Sequence, residues 1–183
     1  MKTKDNQFAY NWIYYLLVVV ISCISWIVAF DIYHLPKDYE SIKLFYAGNI
    51  KDYSFQEIAL KNNDLVSFEL LSSNPADNTF KTKYNVVGFH GSDVLIVDID
   101  VANSTACSEV FVELNDNYGL EFFSQQGANY GLMLTASMKN NLSSYFEFEQ
   151  KDYVITVSAN SVNAGTITNK AFDFVKWMVS YEI

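Results

Sequence analysis

The sequence predicts a mixed α/β protein, in which one N-terminal transmembrane helix precedes one compact α/β domain with a mixed sheet and a β-rich second half. Three observations predict this architecture. Residues 12–30 carry no charge. The following segment alternates strand-type and helix-type patterns, and the rest of the chain has mainly strand-type patterns before a final amphipathic helix. The predicted organisation is a short cytoplasmic tail (1–11), the membrane helix (12–30), a linker (31–40) and an extracytoplasmic domain (41–183).

The uncharged run has the length and composition of a membrane-spanning helix. A helix that rises about 1.5 Å per residue needs about 20 apolar residues to cross a hydrocarbon core of about 30 Å. Trp12 and Tyr14 lie at one end of the run, and Trp26 and Phe30 lie at the other. Because aromatic rings favour both headgroup regions, the run predicts a domain that is held beside a lipid bilayer.

Three other interpretations of this run were compared. A buried core helix of this length is unusual, because most helices of globular proteins are shorter and have a polar face. A cleaved secretory signal has a shorter apolar region and small residues at its cleavage site, and residues 27–30 lack that pattern. A lipoprotein signal fits residues 20–23 loosely, but seven apolar residues follow Cys23. The sequence favours an uncleaved anchor and leaves cleavage or lipidation at Cys23 open.

The charges beside the run predict its orientation. Lys2 and Lys4 precede it together with the terminal amine, whereas Asp31 follows it and the next lysine is Lys37. Cytoplasmic flanks of membrane helices carry an excess of lysine and arginine. We therefore expect a single-pass cell-membrane protein with a cytoplasmic N-terminus and an extracellular domain.

The first half of the domain is expected to contain parallel strands joined by helices. Strand-type patterns lie at residues 41–48, 65–71 and 93–98, and helix-type patterns begin near residues 55 and 79. The third strand is a nearly unbroken β-branched run, which is typical of a strand buried on both faces of a parallel sheet. This β-α-β-α-β order implies right-handed crossovers and helices that cover the sheet.

The second half of the domain contains mainly strand-type patterns. Four of them lie at residues 110–114, 120–123, 130–134 and 153–157. Turn signals occur between these segments, and residues 142–148 fit either a strand or a helix. An amphipathic helix capped near Asn169 is predicted to end the chain.

Composition and motif content argue against several classes of function. Twenty of the 21 acidic residues and ten of the twelve lysines follow the membrane run, and the chain contains no arginine. Nucleic-acid binding needs a cationic surface, so we exclude it. Cys23 and Cys107 lie in different parts of the chain, so no internal disulfide is expected, and no Cys/His cluster has metal-ligand spacing. Without a legible catalytic triad, glycosidase carboxylate pair or phosphate loop, the sequence predicts neither enzymatic activity nor a cofactor.

Polar side chains follow each of the three predicted parallel strands. Asn49 follows the first strand, Ser73 and Asn74 follow the second, and Asp98 and Asp100 end the third. Open α/β sheets bind ligands beyond the carboxyl ends of their strands, near the point where the strand order reverses. We therefore expect these five residues to surround one crevice that suits sugar hydroxyls or a cation, with both aspartates on one side of an extended segment. The alternative is a solvated strand end, because the sequence lacks the third oxygen and the glycine of a calcium loop.

A narrow stripe of small residues lies within the predicted membrane helix. Ser22, Ser25 and Ala29 fall on one helical face, and small residues allow a second helix to approach closely. The stripe predicts a contact with another membrane protein. The alternative is that these are the few small residues that any aliphatic anchor contains.

The order of segments resembles a known family. Three segments of this chain carry the resemblance. They are the first strand with Ile42, Leu44 and Phe45, residues 92–95 (Ser-Asp-Val-Leu) after the second helix, and the final helix from Ala171. These segments are similar to the first lobe of the extracellular solute-binding proteins of bacterial ABC importers, although Ser92 stands where the family often has proline. The resemblance implies transport, but those receptors close two lobes around a solute, and this chain has room for one.

These observations lead to two functional hypotheses. The first is a membrane-anchored extracytoplasmic binding or docking module, a non-enzymatic accessory subunit of a membrane complex such as an ABC importer, whose partners are transporter subunits. The alternative is a surface-anchored receptor that itself binds a small solute such as a sugar, a peptide or a cation. The sequence names neither the ligand nor the partner.

Overall fold

The computed structural model describes residues 4–34 and 37–181 and divides the chain into two compact units. The first unit contains the N-terminal helix, and the second begins at Lys37. Residues 1–3 of the predicted tail, residues 35–36 of the predicted linker and residues 182–183 lie outside the described residues.

The first unit is the helix α1, Lys4–His34. Its segment Asn11–Phe30 is 20 residues long, apolar and exposed, and it is long enough to cross a hydrocarbon core of about 30 Å. Within the described part of the chain no other helix meets this criterion. The helix also continues beyond the apolar run at both ends, into residues predicted as tail and linker, because neither flank contains glycine or proline before Pro36.

The second unit is built on a six-stranded mixed sheet, which confirms the predicted fold class. The strands are β1 (Ser41–Tyr46), β2 (Ser67–Ser72), β3 (Val94–Asp98), β4 (Phe122–Gln125), β5 (Ala128–Met133) and β6 (Tyr153–Val157). They lie in the order β2-β1-β3-β6-β5-β4. The first three are parallel, and the pairs β3–β6, β6–β5 and β5–β4 are antiparallel.

The parallel half follows the predicted β-α-β-α-β order. The helix α2 (Phe55–Asn63) joins β1 to β2, and the short helix α3 (Phe80–Lys83) continues into a π-helical turn, Tyr84–Phe89, before β3. All five residues of β3 are buried, as its β-branched run predicts. A 3₁₀ turn, Asp38–Glu40, precedes β1.

The second half departs from the prediction at two places. The prediction of a strand at residues 110–114 is wrong. Helices α4 (Ile99–Ser104) and α5 (Cys107–Val110) follow β3, and Phe111 makes only an isolated bridge with Ser158. The ambiguous residues 142–148 begin at the end of helix α6 (Ala136–Leu142), form a turn over residues 143–145, and contribute an isolated bridge at Phe146 with Ile50. The predictions of β4, β5, β6 and the final helix α7 (Lys170–Ser180) are confirmed.

Helices cover both faces of the sheet, and each face has its own apolar core. On the α7 face, helices α2, α6 and α7 pack on alternate strand residues, namely Ile42, Leu44, Tyr46, Val94, Ile96, Ile155 and Val157. On the α4 face, the π-helical turn, α4 and α5 pack on the intervening residues, namely Phe45, Ala47, Leu95, Val97 and Val154. The domain is therefore a three-layered α/β fold.

Candidate functional site

A polar cleft lies at the carboxyl ends of the parallel strands. It is a cavity of about 430 Å³, bounded by residues 47–49 after β1, residues 74–76 after β2, Asp98 at the end of β3, and residues 147–153 before and at the start of β6. The chain leaves β1 toward helix α2 on the α7 face and leaves β3 toward helix α4 on the opposite face. This reversal is the topological switch point at which open α/β sheets bind ligands.

One side of the cleft is formed by residues 145–151, which we call the wall segment. Its aromatic residues Phe146 and Phe148 pack in the core of the α7 face, while the intervening Glu147 and Glu149 are exposed and line the cleft. The backbone N–H of Glu147 donates to the carbonyl of Asn49 over 3.0 Å. This contact ties the wall segment to the loop after β1, although about a hundred residues separate the two in the chain.

A chain of hydrogen bonds connects three loops across the cleft. The Asn49 amide donates to Glu147 Oε2 over 3.0 Å, and the Asn74 amide donates to Asn49 Oδ1 over 3.2 Å. The backbone N–H of Ala76 in turn donates to Asn74 Oδ1 over 2.8 Å. Because each amide is held at its oxygen, the network orients the side chains of Asn49 and Asn74 within the cleft.

Asp98 is the buried carboxylate of the cleft, with 3% of its surface exposed. Its Oδ1 accepts a hydrogen bond from the backbone N–H of Val101 over 2.8 Å and so caps helix α4. Its Oδ2 lies 3.8 Å from Lys151 Nζ. The prediction of an extended Asp98–Asp100 segment is therefore wrong, because the Asp98 cap starts a helix at Ile99.

Lys151 is shared by three carboxylates. Its Nζ lies 3.4 Å from Glu149 and 3.7 Å from Asp100, in addition to the contact with Asp98. The neighbouring carboxylates, Asp98 above all, raise the pKa of the lysine, which therefore remains charged at neutral pH. Three carboxylates contact this ammonium group, and Glu147 lines the cleft as a further carboxylate, so the cleft carries a negative potential.

The floor of the cleft rests on a buried aromatic cluster. Tyr46 is wholly buried, and its ring centroid lies 4.9 Å from that of Phe146 and 6.2 Å from that of Tyr153. Burial raises the pKa of Tyr46 far above its usual value, and its hydroxyl donates to the Glu147 carbonyl. A Cβ at Gly48 would lie 2.5 Å from the Tyr46 ring, so this loop needs glycine to pass over the ring.

The five residues predicted from the sequence occupy three different positions. Asn49, Asn74 and Asp98 line the cleft, while Asp100 is exposed at its edge and reaches it through Lys151. Ser73 does not line the cleft: it is 4% exposed, and its Oγ has no hydrogen-bond partner among the described residues. Whether any of them binds a ligand stays a prediction.

Sequence reasoning missed the acidic and basic residues of the wall segment. Glu147, Glu149 and Lys151 lie at every second position, Phe146 and Phe148 alternate with the two glutamates, and Gln150 precedes the lysine. Such a period of two predicts an extended segment with one apolar and one polar face. That pattern could have identified these side chains as polar and exposed, but not the cleft that they face.

Two other predicted features concern metals and the membrane helix. Among residues 4–34 and 37–181, no group of three or more His, Cys, Asp and Glu side chains is arranged to hold a metal ion. Ser22, Ser25 and Ala29 all lie in the exposed apolar part of α1. Their contact with another helix stays a prediction.

No protein-family model matches this chain, and no curated protein and no solved structure is significantly similar to it. The resemblance to the lobe of a solute-binding protein therefore stays a prediction.

Proposed function

We propose that this chain is a membrane-anchored binding module, not an enzyme, and that its polar cleft binds a small polar solute. The observation that carries the proposal is the cleft of about 430 Å³ at the switch point of the sheet. Its volume lies within the range of about 300–1,000 Å³ that is common for small-molecule sites. Four separate chain segments supply its polar groups, as expected for a site that fixes the orientation of a ligand.

The lining chemistry favours a solute that has hydroxyl or amino groups. Asp98, Glu147 and Glu149 provide hydrogen-bond acceptors, and the amides of Asn49 and Asn74 provide both donors and acceptors. The surplus of carboxylates attracts cations and repels anions. A sugar, a peptide amine or another cationic solute suits these groups, and a phosphate or a carboxylic acid does not.

The helix α1 supplies the anchor in this proposal. Its apolar segment is long enough to cross a bilayer, and the lysines at positions 2 and 4 favour a cytoplasmic N-terminus. In this orientation the domain lies outside the cell, where it meets solutes before they are transported. We assign the chain to a cell membrane on this basis.

A second candidate function is that of an accessory subunit that docks on a membrane complex such as an ABC importer. One observation favours it: the apolar segment Asn11–Phe30 is entirely exposed and includes the stripe of Ser22, Ser25 and Ala29. An exposed stripe of small residues suits the close approach of another helix. In that case the cleft would contact a protein or share its solute with one.

The test is thermal stabilisation of the full chain in a mild detergent. Glucose, a dipeptide, putrescine and calcium chloride are added separately, and a ligand present at about 100 times its Kd stabilises the folded domain by about 2.7 kcal/mol. The variant Glu147→Gln should weaken binding by about tenfold or more, because a hydrogen bond to a charged acceptor contributes about 1.5–3 kcal/mol. Glu69→Gln is the matched control. Glu69 lies on β2, outside the cleft, and is an exposed carboxylate whose oxygen lies 3.9 Å from the ammonium nitrogen of Lys43 on β1.

The possible results separate the two functions. Stabilisation by one solute class that is lost in Glu147→Gln and kept in Glu69→Gln supports the solute-binding function. The docking function replaces the solute-binding function if two results are found together. No solute stabilises the chain, and transporter subunits co-purify with the wild type but not with the variant in which Ser22 and Ser25 are replaced by leucine. Equal effects of Glu147→Gln and Glu69→Gln would contradict the assignment of the cleft.

A further inference from the structure

A second cavity lies on the α4 face of the sheet and differs from the cleft in chemistry. Its volume is about 470 Å³, and it lies between the π-helical turn and the connection from α4 to α5. Its walls are mainly apolar, with Phe80, Phe89, Val101 and Val110 among the lining side chains. A pocket of this size with mainly apolar walls and few polar groups is typical of small-molecule sites.

The floor of this cavity is a row of aromatic rings. Phe80 and Tyr84 stack with their planes 9° apart and their centroids at 5.5 Å, and Phe89 meets Tyr84 edge-on at 5.3 Å. The row belongs to a helix that changes from α to π geometry at Tyr84. π-helical turns are rare and occur frequently at functional sites, so this turn is a second observation that points to binding.

The hydroxyl groups in the cavity have a defined direction of donation. Thr105 Oγ1 donates its proton to the carbonyl of Val101 over 2.8 Å. The 3.1 Å contact between Tyr84 Oη and Thr105 Oγ1 therefore uses the tyrosine proton. Tyr84, which lines the cavity, then has no further proton to donate, and its oxygen keeps only acceptor lone pairs. Burial raises the pKa of Tyr84 to about 12, so the group is a neutral phenol at physiological pH.

The charges around this cavity balance. Lys81 and Glu109 contribute one charge of each sign, and Asn85 and Ser104 are neutral. Neither an anion nor a cation is favoured there, in contrast to the acidic cleft. The fitting ligand is flat enough to stack on the aromatic row, has no net charge, and carries a hydrogen-bond donor for the tyrosine oxygen.

We propose that this cavity is a second binding site, which takes a neutral, planar aromatic molecule with an N–H or O–H group that donates to Tyr84 Oη. Planar rings gain from offset stacking and edge contacts with Phe80, Tyr84 and Phe89. The donor group fixes the orientation of the ligand. This site is separate from the polar cleft, because it lies on the α4 face of the sheet, whereas the cleft lies at the carboxyl ends of the strands, and the two share no lining residue.

Indole and 1-methylindole are the probes for this site. They differ in one N–H group, and the methylated compound partitions more strongly into lipid, so nonspecific uptake favours it. Binding to the full chain in nanodiscs is measured by ligand-observed NMR, with empty nanodiscs as the reference. We expect the wild type to bind indole about three- to tenfold more tightly than 1-methylindole, which corresponds to one neutral hydrogen bond.

Two variants and a control decide the assignment. Tyr84→Phe should remove the preference for indole while 1-methylindole still binds, because the substitution keeps the ring and removes only the hydroxyl group. Ala106→Trp places a large ring in the cavity from an exposed lining position, so both compounds should lose binding. Glu69→Gln, outside both sites, should change neither. The proposal is overturned if the wild type does not prefer indole, if Tyr84→Phe retains the preference, or if Ala106→Trp binds both compounds normally.

Discussion

Replacing Asp98 separates its structural contact from its contact with the cleft. The two oxygens of this carboxylate have different partners: Oδ1 caps α4 through Val101 N–H at 2.8 Å, and Oδ2 faces Lys151 Nζ at 3.8 Å. Asp98→Ala removes both contacts. Asp98→Asn keeps an oxygen that can cap the helix, because asparagine is as good an N-cap as aspartate, and it removes only the charge.

The magnitudes follow from these contacts. Loss of an N-cap costs about 0.5–2 kcal/mol. Loss of an ion pair with an exposed lysine costs up to about 1 kcal/mol, and Lys151 retains Glu149 and Asp100 as partners. In a domain of this size, about 1 kcal/mol shifts the melting temperature by about 2–4 °C. We therefore expect Asp98→Ala to lower the Tm by about 1–12 °C, from a loss of about 0.5–3 kcal/mol, and Asp98→Asn to lower it by up to about 4 °C, from a loss of up to about 1 kcal/mol.

The assay is differential scanning calorimetry of the full chain in detergent, followed by binding measurements with whichever solute stabilises the wild type. Both variants should lose affinity, because both lack the buried negative charge, but only Asp98→Ala should lose substantial stability. If Asp98→Asn is as destabilising as Asp98→Ala, the charge and not the cap maintains the fold. If Asp98→Asn binds the solute normally, the carboxylate does not contribute to the site.

Three further predictions follow from the structure. Gly48→Ala should destabilise the domain by about 1–3 kcal/mol in urea titrations, because the alanine Cβ would lie 2.5 Å from the buried Tyr46 ring. Unchanged stability would show that the ring can move. Burial raises the pKa of Tyr84 to about 12, whereas an unfolded tyrosine loses its proton near pH 10, so Tyr84 should contribute up to about 3 kcal/mol of stability that is present below pH 10 and disappears between pH 10 and 12. Tyr84→Phe should lose less stability than the wild type over this range in pH-dependent unfolding, and the loss that remains comes from other buried tyrosines such as Tyr46. When the chain is translated in the presence of microsomes, the acceptor sequences at Asn103 and Asn141 should be glycosylated if the domain is translocated. A variant with Gln at both positions should show no shift in gel mobility. An unmodified wild type would argue against the proposed orientation.

The prediction of the cleft from the sequence depended on one topological rule. Three parallel strands in a β-α-β-α-β unit must end on the same edge of the sheet, so the residues that follow them converge. Asn49, Asn74 and Asp98 do converge on one cavity. The rule does not predict the direction in which a side chain points. It therefore could not predict that Ser73 is buried and does not line the cleft.

The errors have two physical causes. At residues 110–114 the cause is local: Asp98 caps helix α4, helix α5 extends to Val110, and only Phe111 keeps a bridge to Ser158. At the wall segment the cause is distant, because nothing near Glu147 in the sequence indicates that it meets Asn49. Such pairings depend on the packing of the whole sheet, which cannot be predicted from a short segment of sequence.

The amino-acid sequence by itself determined the apolar helix and the parallel half of the sheet. Both follow from backbone hydrogen bonding and from side-chain periodicity within short segments, which neighbouring residues control. The tertiary structure alone decided which residues face the cleft and which form the second cavity. Glu147 meets Asn49, and Tyr84 meets Thr105, only when β6 pairs with β3 and the helices cover both faces of the sheet. These contacts join segments that are separate in the chain, so no local pattern encodes them.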